Sequence, residues 1–150
     1  MADPKILRIA DQVASLIRDA GTRARVIDFG RAHQIREDEL PAISIELGAE
    51  APTDPDGQAA TSYIDAFASL YVDIYESVAD GEALRTIEHV RAEVHRALMA
   101  DETLGLSFVH QIHYQGAEDP ITDPDGGDIF YSRRMIWAVE FRFARTDPAS

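Results

Sequence analysis

The chain has 150 residues, 45% of them hydrophobic and 27% charged, which is the profile of a folded domain long enough to bury a core. It contains no cysteine, which excludes a disulfide scaffold, a thiolate zinc site and a cysteine nucleophile. With 14 basic against 27 acidic residues the net charge is −13, so the fold as a whole repels free nucleic acid, whose binding needs clustered Lys and Arg.

The opening "MADPKILRIADQ" carries acids and lacks the unbroken apolar stretch of a signal peptide. From Asp3 a helix is predicted, with Asp3 as N-cap, Pro4 in the first turn, and Ile6, Ile9, Val13, Leu16 and Ile17 at helical spacing up to a stop at Gly21. "ARVIDFG" reads as a short strand. "LPAISIELG" follows with Ile43, Ile45 and Leu47 alternating against Ser44 and Glu46. The run from Tyr63 to Tyr75 is a long strand. Its even positions (Ile64, Ala66, Ala68, Leu70, Val72, Ile74) are all apolar, and its odd ones alternate aromatic with small or acidic residues. A second helix begins near Asp80, with Glu82 in its first turn and a stripe of Leu84, Ile87, Val90, Val94, Ala97 and Leu98. "LGLSFVHQIHY" is read as the next strand, with Leu106, Phe108 and Ile112 on one face. A terminal strand carries Met135, Trp137, Val139, Phe141 and Phe143 on one face. This order predicts an α+β domain over residues 1–150, a mainly antiparallel β-sheet with two principal helices packed on one face. No window is apolar enough to span a membrane.

The pentapeptide "TDPDG" occurs at Thr53–Gly57 and again at Thr122–Gly126, and "TDPAS" closes the chain. Both copies fall in windows without a base: Glu46, Glu50, Asp54 and Asp56 in the first, and Glu118, Asp119, Asp123, Asp125 and Asp128 in the second. Pro at the second position of a turn, an Asp that caps it and a Gly that accepts positive φ explain a turn without any ligand. Neither copy has the spacing of a calcium loop: counted from Asp123, position twelve is Arg134, and counted from Asp54, position six is Ala59. Of the histidines, His89 and His95 stand on different sides of a helix, and His110 and His113, three apart on a strand, are expected on opposite faces. No phosphate loop, nucleophile elbow or zinc motif is present, so the sequence nominates no catalytic residue, cofactor or metal.

One feature exceeds what two helices cover. Tyr63, Phe67, Tyr71 and Tyr75 lie on the strand face opposite its aliphatic one, and Phe130, Ile136 and Ala138 lie behind the apolar face of the last strand. A curled sheet or a loop folded over that face accounts for this, and so does a subunit interface, where aromatic residues are enriched. Tyr63, Phe67, Tyr71 and Tyr75 are therefore the candidate interface. Asp54, Asp56, Asp119, Asp123, Asp125 and Asp128 are candidates for acidic lumen or docking loops, above all in a loop read from Gly116 to Asp128.

At this level the chain resembles the tail terminator (tail completion) proteins of long-tailed bacteriophages and gene transfer agents. The resemblance is carried by "ILRIADQVASLI", "LPAISIELG", the long strand, "ALRTIEHVRAEVHRALMADETLGLSFV" and "RRMIWAVEFRFAR", and spans nearly the whole chain. It implies an α+β fold, a hexameric ring of identical copies capping the tail tube, an end to tube polymerisation and a joint to the head connector. DNA passes through such a ring without specific binding, and the acidic loops would suit its wall. Partners would be the chain itself, the tube protein and the connector, with no membrane, in a virion assembled in the host cytoplasm. A tube or connector subunit, and a small acidic protein-binding module, are the rival readings.

Overall fold

The computed structural model describes residues 2–30, 35–57, 61–125 and 128–150, the side chains of 123–129 excepted. Helix α1 (Lys5–Asp19) is followed by strands β1 (Val26–Phe29), β2 (Ala42–Pro52) and β3 (Tyr63–Ser77). Helix α2 (Ala83–Met99) leads to β4 (Val109–Ala117), β5 (Ile121–Asp125) and β6 (Asp128–Ala144). The sheet runs β1-β2-β3-β6-β4, with β5 also paired to β6. The α+β expectation is met: all pairings but one are antiparallel, and both helices pack on the same face.

The exception is β1, which runs parallel to β2 with Val26 opposite Ala42. Its return path, through a short 3-10 turn at Glu37–Glu39, packs over the sheet's other face.

The core follows from the two periodicities. Every even residue of β3 from Ala66 to Ile74 is buried and faces Met135, Trp137, Val139 and Phe141 of β6 on the same side. Over them lie Ile9, Val13 and Ile17 of α1 and Ile87, Val90, Val94 and Leu98 of α2. Burying one such aliphatic side chain fully is worth about 1.5–3 kcal/mol. Leu84 departs from the expected stripe: it is 46% exposed, and Ala83 is the buried residue of that turn. At the start of α1, Pro4 rather than Asp3 holds the N-cap position, and its carbonyl receives the amides of Leu7 and Arg8.

Strand β4 starts later than its sequence suggests. Leu104 and Gly105 both adopt positive φ, 56° and 71°, in a turn tied to α1 by Gln12 Nε2 donating to the Leu104 carbonyl at 2.8 Å. The left-handed conformation is costly for leucine, but its side chain is fully buried there.

The three TDP fragments diverge. At Thr53–Gly57 the Asp54 carboxylate accepts the Gly57 amide at 3.0 Å, which closes a turn. At the second copy, Thr122–Asp125 lies in β5 instead, with Thr122 opposite Tyr131 and Asp125 opposite Asp128. The long loop expected from Gly116 to Asp128 is therefore mostly strand, while Gly126 and Gly127 lie outside the described residues. At the third, Asp147 accepts the Ala149 amide and the Ser150 hydroxyl. This last turn meets α1, where the Lys5 amide donates to the Pro148 carbonyl at 3.0 Å and Lys5 Nζ to the Arg142 carbonyl at 3.0 Å.

Candidate functional site

The face of the sheet opposite the helices is the candidate site. Its odd β3 positions pair with even β6 positions, so three zones succeed one another along the strands.

The first zone is covered. Ile35 and Leu40, from the connection between β1 and β2, pack with Ala42, Tyr75 and Phe130 into a small second core. Tyr75 is only 4% exposed, so this residue leaves the candidate interface: it is core, placed there by the loop folded over this end.

In the second zone one arginine organises the surface. Arg134 donates to both carboxylate oxygens of Asp73, at 2.8 and 2.9 Å, and to Glu46 at 3.2 Å, which ties β6 to β3 and β2. Its hydrogen bonds to Asp73 raise the Arg134 pKa further above its ordinary value, outweighing the opposing effect of burial. The guanidinium lies 4.3 Å from the centre of the Tyr71 ring, so Tyr71 supports Arg134 and is half-buried. A Cβ at position 48 would stand 2.8 Å from that ring, and Gly48 makes the approach possible. Beside Arg134 opens a groove of about 260 Å³ whose acidic residues are Glu46, Asp73, Glu118 and Asp119. Asp119 is exposed at this groove, whereas the side chains of Asp123, Asp125 and Asp128 lie outside the described residues.

The third zone is open. Tyr63 is 53% exposed and Phe67 40%, and they flank Asp65 on β3. Arg142 donates to both Asp65 oxygens at 2.8 and 2.9 Å, and His110 Nε2 stands 2.9 Å from the same carboxylate. His113 lies against Phe67, ring centres 5.9 Å apart. Both histidines thus face this side, contrary to the parity of an ideal strand, because a bulge between Val109 and Gln111 shifts the alternation of β4. The exposed Asp54 and Asp56 sit on the turn after β2, which is anchored to β3 by the Thr53 amide donating to the Asp65 carbonyl at 2.8 Å.

The hydrogen bonds from Arg142, the largest influence, with a smaller one from His110, hold the Asp65 pKa down at about 2, from an ordinary 3.8. A carboxylate whose folded pKa is depressed adds stability above its unfolded pKa and loses it as pH falls through the folded value. Stability should therefore decline between about pH 4 and pH 2, and Asp65→Asn should flatten that part of the profile. Glu76, raised by burial, acts with the opposite sign, so the two are separable by the direction of the slope. Urea titrations of both proteins across this range would check it, and identical slopes would refute the assignment.

Among the described residues no three His, Asp or Glu side chains converge as metal ligands would, and Asp54 already spends a carboxylate oxygen on its own turn. Chemically the face offers aromatic contact and paired charge.

No family model and no curated protein sequence matches the chain. Among solved structures it is similar to a chain described as "Virion of native gene transfer agent (GTA) particle", with a TM-score of 0.48 and 13% sequence identity over 93% of this chain and 90% of that one.

Proposed function

We propose that the chain is a structural component of a phage or phage-like particle. It forms a ring of identical copies, six in the assembled particle, at the head-proximal end of the tail tube. There it ends tube polymerisation and joins the tail to the head connector, with no catalytic step. The observation that carries this reading is the half-covered sheet: both helices occupy one face, while Tyr63 and Phe67 stay exposed at the uncovered end of the other. Exposed aromatics beside satisfied ion pairs are what an interface core and its polar rim require. The tail-terminator resemblance in the sequence supplies the particular place in the particle. The net charge of −13 supports a wall that lets DNA pass without holding it.

Phe67→Asp is the test: Phe67 is 40% exposed but packs on His113 and stands opposite Glu140, so the change should cost about 1–2 kcal/mol and leave the chain folded. Native mass spectrometry and electron microscopy with tail tubes should show the wild-type chain closing tube ends with six copies. The variant should be folded, monomeric and unable to close them. Open-ended tubes built by the purified wild-type chain would replace the terminator by a tube subunit. A variant that caps tubes normally would remove the open face from the interface.

A further inference from the structure

A second surface lies on the helix side. Between α2 and β4 is a groove of about 360 Å³ lined by Glu88, Arg91, Ala92, His95, Arg96 and Tyr114. Its lone acid is already engaged: Glu88 accepts from Arg91 at 2.9 Å and pairs with Arg133. Arg91 also donates to the Tyr114 hydroxyl at 2.7 Å, and the His95 ring is fixed 4.9 Å from that of Tyr114 and 5.5 Å from that of Trp137. Arg91, His95 and Tyr114 are thus held walls. Arg96 is different: it is exposed, and among the described residues it has no hydrogen bond or ion pair. The lining carries two guanidiniums, Arg91 and Arg96, against one carboxylate, Glu88, which Arg133 also pairs from outside the groove, so positive charge is in local excess on a chain whose net charge is −13. The groove on the open face carries four acids around Arg134, so the two surfaces differ in sign.

We propose that this groove receives the acidic Thr53–Gly57 turn of a second copy of the chain, with Asp56 meeting Arg96. Asp56 is exposed and without a partner among the described residues, and the turn that presents it is closed by the Asp54–Gly57 hydrogen bond, so little order is lost on docking. Opposite charge on two rigid surfaces steers and registers such a contact. The turn follows β2 and the groove flanks β4, and β3 and β6 lie between those strands. The contact therefore joins unlike surfaces of neighbouring copies, the head-to-tail type that closes into rings. This rests on the proposed function in one respect, that the chain works as an assembly of identical copies.

The experiment is a charge swap read by sedimentation equilibrium at low salt, where exposed charges are least screened. Arg96→Glu and Asp56→Lys should each weaken self-association by about tenfold, since each turns an attraction into a repulsion. The double variant Arg96→Glu/Asp56→Lys, with the pair reversed, should return to within about threefold of wild type. An equimolar mixture of the two single variants should also recover. Single variants without effect, or a double variant as weak as the sum of the singles, would overturn the pairing. If Phe67→Asp still abolished assembly in that case, the proposed function would stand without this contact. A wild-type chain that stays monomeric at every concentration, with or without tail tubes, would remove both. Should inorganic phosphate bind wild type but not Arg96→Glu while association is unchanged, a free anion is the occupant and the proposal fails.

Discussion

Trp137→Ala is expected to lower the melting temperature by about 10 °C. Trp137 is the largest fully buried side chain, at the centre of β6 where His95 and Tyr114 pack on it. Truncating such a residue leaves a cavity that its neighbours only partly fill, at a cost of about 3–5 kcal/mol. In a chain of this size each kcal/mol shifts the midpoint by roughly 2–4 °C. Among the described residues the buried indole nitrogen has no hydrogen-bond partner, so the loss is one of packing, and Trp137→Phe should recover more than half of it. Circular dichroism is the right probe, because the substitution removes the chain's single tryptophan. A shift below about 3 °C would mean that α2 settles onto the sheet and closes the gap.

The second large effect concerns Arg134. Asp73 is 3% exposed and depends on the two hydrogen bonds from Arg134. Arg134→Met would leave that carboxylate in a site built for an ion pair. Breaking a buried pair costs about 3–5 kcal/mol, but Arg134 is partly exposed and water can reach its place, so about 2–3 kcal/mol is expected here. Urea titration of both proteins at neutral pH measures the deficit. Asp73→Asn should cost less, because Arg134 keeps Glu46 at 3.2 Å. A deficit under about 0.5 kcal/mol would show that the pair contributes nothing beyond a surface bridge.

Much of the architecture was legible because it depends on local repetition. The alternation in β3 and β6 sorts their residues between core and open face, and the stripes of α1 and α2 name the residues that cover one side. What failed was set by distant parts of the chain. Nothing near Tyr75 announces that Ile35 and Leu40 will cover it. The parallel pairing of β1 depends on a return path, not on "ARVIDFG" itself. The second TDPDG reads like the first, yet it pairs with β6 because Thr122 and Asp123 meet Tyr131 and Phe130 there. Parity on β4 was misjudged for His110 and His113 because a bulge has no signal in their spacing. Nor does anything local to Asp65 and Asp73 point to their partners, arginines 77 and 61 positions away.

The contact between Lys5 and Pro148 makes the backbone nearly a cycle. The first turn of α1 and the turn beyond β6 occupy one corner, so a linker of a few residues would join them without reaching across the fold. The connectivity could then be cut elsewhere, at the exposed turn after β2 for instance, with every strand left whole. Anything appended to either end departs from that same corner, and in a closed assembly each copy would carry its appendage at an equivalent point of the circumference.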